Sequence, residues 1–374
     1  MSALISKTPV SAKFALLSLW TKTSDILTRL ERPKHLSDDR RLPRVCFVKS
    51  TAAREFYNRV TPCPLDELIF SSTMRTGPIG LFDDLQGDMV IVNTVSDTES
   101  RCFERREAIN SGLREFRLRN QSQLAPLSCD VDAIDWGRYD LVVAFENSVP
   151  SRVALKYPRT CFATLIEDHR IPDYQRFRKR LPAGYAIFLN LRSGPSPHDF
   201  MRRPWEVDFS YGFRSSQTLS RLLPGIVKTN SIHAEDHESD ENCSALERLT
   251  GLKVAKGHGS SVRSFCQQIS SARFFVSMQP TRPLGGLAAI DSISAGTVAL
   301  INRKRTWNSH FSDRTTHVEN VTTAAELINY LQSDQSVYDA MLQKQSALLQ
   351  YYCFRRPMCQ IVTHIEACCN AWKT

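Results

Sequence analysis

The sequence predicts an α/β protein with two domains, each built on a parallel sheet. Its strand candidates are continuous apolar runs, which is typical of parallel strands covered on both faces. These runs alternate with helical patterns, as in layered α/β domains. The chain has 374 residues, whereas single cores rarely grow beyond about 250–300 residues. An apolar fraction of 42% and a charged fraction of 23% are ordinary for globular proteins and supply enough core for both domains.

Each predicted strand of the first domain ends in polar residues. The strand candidates are residues 45–50, 87–93, 139–147, 159–170 and 184–194, with helical patterns over 51–60 and 99–120 and in "SVPSRVALKYP". Ligands of open parallel sheets bind beyond the carboxyl ends of the strands. This end of the first domain is therefore expected to bind a substrate.

A segment rich in proline and glycine, residues 192–213, has no periodicity and separates the two halves. The second α/β series is predicted to start with "EVDFSYGF". Its further strand candidates are residues 225–233, 252–259, 273–280 and 297–302, and its helices include 261–272, 287–295 and most of 324–372. The predicted organisation is an N-terminal helical extension over 1–42, a first domain over 43–203, a second domain over 204–350 and a C-terminal crossing helix over 351–374.

The stretch "PLGGLAAIDSISAGTVALI", residues 283–301, predicts a loop, a short helix and a buried strand. Gly285 and Gly286 let the backbone approach a ligand closely, and a helix start offers free N–H groups to a phosphate. Leu287, Ile290 and Ser294 fall on the stripe that faces the sheet, with Asp291 on the adjacent stripe, where it could bind the hydroxyl pair of a sugar. Glycines before a helix are also common without any ligand, so the unit alone leaves both interpretations open.

The longer segment "ARFFVSMQPTRPLGGLAAIDSISAGTVALI" resembles the donor-binding segment of two-domain glycosyltransferases of the GT-B fold. "DSISAG" stands where the family has "EALAAG", so Asp291 matches the glutamate that contacts the donor ribose and Gly296 the helix-ending glycine. Pro283 stands where many retaining members carry a second glutamate, so the retaining motif is incomplete here. The resemblance covers about residues 200–350, and over 45–195 only the fold pattern matches.

This resemblance implies two Rossmann-like domains in the GT-B architecture, with C-terminal helices that cross back to the first domain. It implies sugar transfer from a nucleotide-sugar donor to a saccharide or lipid-linked acceptor in cell-surface polysaccharide or glycan synthesis. No cofactor and no metal are expected besides the nucleotide-diphosphate sugar itself.

The expected donor-binding residues are basic groups, glycines and one acid of the second domain: Gly212, Arg214, Lys256, His258, Arg282, Leu284, Gly285, Gly286 and Asp291. Positive groups there would stabilise the diphosphate leaving group. An inverting enzyme also needs a general base for the acceptor hydroxyl. The candidates, all just past predicted strand ends of the first domain, are Glu146, Glu167, Asp168 and His169.

The net charge of +9 comes from arginines spread over the whole chain, with the densest run in "YQRFRKRL", residues 174–181. That run is either a solvated helix face or a contact for an anionic partner, and peripheral membrane contact through 176–180 is a hypothesis. A nucleic-acid partner is disfavoured because no strand interleaves aromatic and basic residues. The N-terminal apolar stretch is too short to span a bilayer. A cytoplasmic protein is predicted, with association at the inner membrane face left open.

Eleven cysteines, an odd number without a C-x-x-C pair, argue against a disulfide framework or a zinc site. "HAEDHE", residues 233–238, contains metal-ligand types but lies in an acidic, polar stretch and is predicted to be solvated. Other functions left open are a catalytically silent sugar-nucleotide or saccharide-binding module and, among enzymes, an epimerase or a phosphorylase.

Overall fold

The computed structural model describes residues 43–50, 88–92, 131–145, 149–166, 186–189, 206–208, 223–257, 262–279, 287–302, 314–350 and 362–366. The chain falls into two compact units. One contains a six-stranded sheet and the other a five-stranded sheet, and the strand pairs in both are parallel. This confirms the predicted fold class, an α/β protein with two Rossmann-like parallel sheets.

The first sheet has the strand order β2-β1-β3-β4-β5-β6. Its strands are β1 (Val45–Ser50), β2 (Asp88–Val92), β3 (Leu141–Phe145), β4 (Cys161–Ile166), β5 (Ala186–Leu189) and β6 (Glu206–Asp208). A short helix, α1 (Ser151–Ala154), connects β3 to β4. Residues 362–366 form a helical turn that groups with this unit. The crossing helix over 351–374 stays a prediction.

The central strands of the first sheet are buried on both faces, as their continuous apolar sequences predict. The consecutive residues 45–48 of β1 and 141–144 of β3, whose side chains alternate between the faces, are all buried. Trp136, in a short 3-10 helix before β3, is fully buried, and its Nε1 donates to the carbonyl oxygen of Val131 at 2.9 Å. Its ring meets that of Phe162 edge-on, so this tryptophan closes one face of the sheet.

The second sheet has the strand order β11-β10-β9-β7-β8. Its strands are β7 (Thr229–Ala234), β8 (Lys253–Lys256), β9 (Ala272–Ser277), β10 (Val298–Asn302) and β11 (His317–Val318). Its helices are α2 (Asp240–Thr250), α3 (Val262–Ser271), α4 (Leu287–Ser294), α5 (Val321–Ser333) and α6 (Gln335–Gln350). The bounds of β7 to β10, α3 and α4 lie within a few residues of those predicted from apolar runs and helical spacing. The helices α5 and α6 fall largely in the region 324–372 that was predicted to be mostly helical, and β11 was not predicted.

One face of the second sheet packs in a large apolar core with α5 and the start of α6. Ile232, Phe274 and Leu300 supply the strand side of that core. The short β11 leaves part of β10 without a neighbouring strand, and Gln345 of α6 fills that place. Its side chain accepts the N–H of Ala299 at 2.9 Å and donates to the carbonyl oxygen of the same residue at 2.7 Å. A glutamine thus replaces the missing ladder bonds.

The strand β6 joins a different sheet from the one expected. Sequence analysis placed Glu206–Asp208 at the start of the second α/β series, but β6 pairs with β5 at the edge of the first sheet. A strand of three residues is too short for its sequence pattern to specify its partner strand, so the pairing depends on contacts in the folded chain. The predicted domain limits themselves stay predictions.

Several predicted segments lie outside the described residues: the N-terminal extension, the helices over 51–60 and 99–120, and the basic run 174–181. Among the described helices, none has the length and apolarity needed to cross a membrane. Of the four cysteines in the described ranges, Cys46, Cys161 and Cys266 are buried and Cys243 is half-buried.

Candidate functional site

The second sheet has a topological switch point between its two central strands. From β7 the chain moves to β8 on one side, whereas β9, β10 and β11 follow on the other side. Connections that leave in opposite directions open a crevice at the carboxyl ends of the central strands, and ligands of doubly wound sheets bind there. The carboxyl ends of β7 and β9 are therefore the candidate site of this unit.

Glu235 directly follows β7, at the carboxyl end of this central strand. It is only 6% exposed, and its Oε2 accepts a hydrogen bond from the hydroxyl of Ser277 at 2.6 Å. Its backbone N–H donates to the carbonyl oxygen of Val276 at 3.0 Å. A buried carboxylate is stable only with such donors around it, so Glu235 and Ser277 form a buried polar link between the ends of β7 and β9.

Glu238 reaches the same place from the turn before α2. It is 1% exposed, and its Oε1 accepts the backbone N–H groups of Met278 and, at 3.0 Å, of Gln279. The amide of Asn242 lies 3.4 Å from its other oxygen. The two residues bonded by Oε1 are the first two after β9, so this carboxylate holds the chain where it leaves the sheet.

Asn302, the last residue of β10, completes the edge. It is buried, and its Nδ2 donates to the carbonyl oxygen of Met278 at 2.7 Å. The peptide groups of Met278 are thus bonded on both sides, by Glu238 at the N–H and by Asn302 at the carbonyl. Side chains from three neighbouring strand ends meet at one short backbone segment.

The helix α4 and its glycine end match the prediction. It begins at Leu287, directly after the segment 283–286, and Gly296 follows it with a φ of 76°, a left-handed conformation that favours glycine. Asp291 lies within it and is only 2% exposed. The expectation that one stripe of this helix faces the protein is too narrow, since residues 288–294 are all buried. The reason is that α6 packs against α4 in addition to β9 and β10.

Lys256, the last residue of β8, forms an ion pair instead of standing free. Its Nζ lies 2.6 Å from Oδ1 of Asp240, at the start of α2. This hydrogen bond raises the pKa of Lys256 and lowers the pKa of Asp240. The donor role predicted for Lys256 stays a prediction, and in this geometry the lysine would have to exchange Asp240 for a phosphate.

Most predicted site residues lie outside the described part of the chain: Glu146, Glu167, Asp168, His169, Gly212, Arg214, His258, Arg282, Leu284, Gly285 and Gly286. Their roles stay predictions. The strands that precede the acids are described, since β3 ends at Phe145 and β4 at Ile166. These two strands are parallel neighbours.

Sequence analysis missed the buried acids of the second sheet. It predicted that residues 233–238 are solvated, but His233, Glu235 and Glu238 are all buried, and the His233 ring stacks on Phe275. The density of charge in this stretch suggested a surface loop. A signal was available in its position directly after a strand at the switch point. Nothing in the sequence marked Asn302 beyond its place at the end of β10.

No protein-family model and no curated protein sequence matches the chain. In the solved structures, it is similar to T4 phage β-glucosyltransferase in complex with UDP and Mn²⁺, with 12% identity, 86% of this chain and 98% of that chain covered, and a TM-score of 0.40. It is similar to Anabaena HepE in complex with UDP and glucose, with 10% identity, coverage of 88% and 99%, and a TM-score of 0.39. It is also similar to a glycosyltransferase from Rickettsia africae, with 8% identity, coverage of 87% and 98%, and a TM-score of 0.47.

Proposed function

We propose that this protein is a glycosyltransferase that moves a sugar from a nucleotide-sugar donor to a saccharide or lipid-linked acceptor in cell-surface polysaccharide or glycan synthesis. The observation that carries the proposal is the switch point of the second sheet. There, buried polar side chains that follow β7 and that end β10 bond to residues 277 and 278 at the end of β9. The resemblance of residues 272–301 to a donor-binding segment supports the same role.

In this proposal the donor diphosphate lies at the start of α4. The free N–H groups of a first helical turn and its partial positive charge favour an anion, and Gly285 and Gly286 precede that turn in the sequence. Arg214 and Arg282 neutralise the phosphates, with Lys256 and His258 as further candidates. Asp291 is assigned to the hydroxyl pair of the ribose.

The proposed reaction forms a bond between the acceptor oxygen and the anomeric carbon while the bond from that carbon to the diphosphate breaks. The acceptor hydroxyl gives its proton to a general base from the first domain, one of Glu146, Glu167, Asp168 or His169. The nucleoside diphosphate leaves with the bonding electron pair. Fixed positive groups are the usual means of stabilising such a developing charge, and in this proposal they replace a metal.

A second candidate function is a catalytically silent module that binds a sugar nucleotide or a saccharide. It is favoured by the shorter acid Asp291, which is almost fully buried, and by Pro283 at the position of the second family glutamate. Turnover of nucleotide sugars by the purified protein distinguishes the two functions.

The test of the proposal is a thermal-shift screen with UDP, GDP, CDP and their common sugar conjugates. A ligand at about 100 times its Kd adds about 2.7 kcal/mol of stability, so one nucleotide should raise Tm clearly. The shift should disappear in Asp291→Ala and persist in Ser292→Ala. Ser292 is a matched control, since it is equally buried in α4 but bonds the helix's own Ala288. A well-folded protein that none of these compounds stabilises would overturn the proposal.

A further inference from the structure

Glu238 and Asn302 hold the two peptide groups through which the chain leaves β9 toward the expected donor site. Residues 280–286 connect Gln279 to α4 and contain four of the expected donor contacts, one of them basic. We propose that Glu238 and Asn302 act as a clamp, here called the β9 clamp, that positions this connection for donor binding. The inference rests on the proposed function and adds residues that are not themselves donor contacts.

Glu238 differs from most acidic residues in turns, which bond to backbone groups close to them in the sequence. A single oxygen accepts two consecutive N–H groups, from Met278 and Gln279, across a sequence distance of 40 residues. The side chain is only 1% exposed, so bulk water does not compete with it as the acceptor of these two N–H groups. Glu235 and Glu238 are three residues apart, and the carboxylates of both lie against the end of β9.

Asn302 gives the clamp its second side. Its Nδ2 bonds the carbonyl oxygen of Met278 and lies 3.5 Å from the carbonyl oxygen of Glu319, which comes directly after β11. The exit of β9 is therefore tied to β10 as well as to the β7–α2 segment. With both the N–H and the carbonyl of Met278 fixed, the direction in which the chain enters the next connection is set by side chains and not by that connection itself.

A clamp depends on the length of the Glu238 side chain, whereas an electrostatic role depends on its charge. Glu238→Gln keeps an oxygen at the same distance and removes the charge, whereas Glu238→Asp keeps the charge and shortens the side chain by one methylene. A clamp predicts that the glutamine variant binds nucleotide like the wild type and that the aspartate variant does not. An electrostatic role predicts the reverse order.

The experiment titrates UDP, GDP and CDP into the full chain by calorimetry, at a temperature where all variants are folded. For the nucleotide that binds, Glu238→Asp should raise Kd about tenfold, the scale set by the loss of one hydrogen bond. Hydrogen exchange of peptides covering 277–286 should be faster in Glu238→Asp and unchanged in Glu238→Gln. Asn302→Ala is the second variant and should change Kd and exchange in the same direction.

Glu247→Asp is the matched control, because Glu247 makes the same kind of bond at another strand, its Oε1 accepting the N–H of Val254 at 2.8 Å. Its nucleotide affinity should equal that of the wild type. Unchanged Kd in Glu238→Asp and Asn302→Ala would overturn the clamp. A wild type that binds no nucleotide, with exchange at 277–286 still dependent on Glu238, would overturn the proposed function and reduce the clamp to a structural link.

Discussion

In the second sheet, a lysine links the strands at their amino ends, and carboxylates link them at their carboxyl ends. Lys228, just before β7, donates from Nζ to the carbonyl oxygen of Ala272 at 2.8 Å and to the hydroxyl of Thr297. At the opposite end, Glu238 accepts the N–H groups of Met278 and Gln279. Both arrangements tie strands together that are distant in sequence, but with opposite charge.

The difference follows from the direction of the helices. Helices end at the amino edge of a parallel sheet and begin at its carboxyl edge, so free carbonyls collect at one edge and free N–H groups at the other. At the amino edge the hydroxyl of Thr297 also donates to the carbonyl oxygen of Ile269, near the end of α3. A cation suits that edge, whereas an anion, including a diphosphate, suits only the carboxyl edge.

Reversing the charge of Glu238, at the carboxyl edge of the second sheet, should have the largest effect on the free energy of unfolding. Glu238→Lys places an ammonium against two N–H groups in a buried site, and we expect a loss of about 4 kcal/mol in the free energy of unfolding, as for other broken buried charge networks. Lys228→Glu, the matched exchange at the amino edge, should be milder, because only the Nζ end of that side chain is part-buried and the rest of the residue is exposed, so a glutamate can turn into solvent. Urea unfolding measures both. Equal losses would contradict the comparison.

Removing the hydroxyl of Ser277 tests the carboxylate of Glu235. Ser277→Ala takes away a donor at 2.6 Å from a buried charge, and we expect a loss of about 2 kcal/mol in unfolding free energy. The control lies in the first sheet, where the hydroxyl of Thr164 donates to the neutral carbonyl oxygen of Ala144 at 3.3 Å. Thr164→Val should cost about 1 kcal/mol, and a larger loss there than at Ser277 would show that the charge of Glu235 is not what matters.

The amino edge should respond to pH. Burial of the ammonium against the strand ends lowers the pKa of Lys228 to about 8, from 10.5 in the unfolded chain. Between these two values the unfolded chain binds more protons than the folded one, so stability rises with pH across this window. Relative to Lys228→Met, the wild type should gain unfolding free energy from pH 8 upward and level off near pH 10.5. Denaturant unfolding at several pH values measures this, and parallel curves would refute it.

The smallest effect is expected at the exposed ion pair of Lys256 and Asp240. Exposed pairs contribute little to stability, so Asp240→Asn should leave Tm unchanged while it releases the lysine and lowers its pKa. If Lys256 binds the donor phosphates, nucleotide affinity should rise slightly in this variant. Calorimetric titration decides the point, and unchanged or weaker binding would remove Lys256 from the proposed donor site.

Patterns of apolar residues were sufficient to predict most of the architecture. The continuous runs at 45–50 and 297–302 and the helical spacing at 261–272 are local signals, so the strands β1 and β10 and the helix α3 lie where they were expected. The glycine that ends α4 could also be predicted, since only glycine enters a left-handed conformation readily. Each of these features depends on a few residues that are adjacent in the chain. The sequence alone is therefore enough to predict it.

Only the tertiary structure decided which charged residues are buried and which sheet a short strand joins. The composition of "HAEDHE" is typical of a surface loop. Glu235 and Glu238 are nevertheless buried, because hydroxyl and N–H groups at the end of a strand about 40 residues away donate hydrogen bonds to them. The strand β6 pairs with β5, at the edge of the first sheet. Burial of a charge and pairing of an edge depend on partners distant in sequence, and no local pattern carries that information.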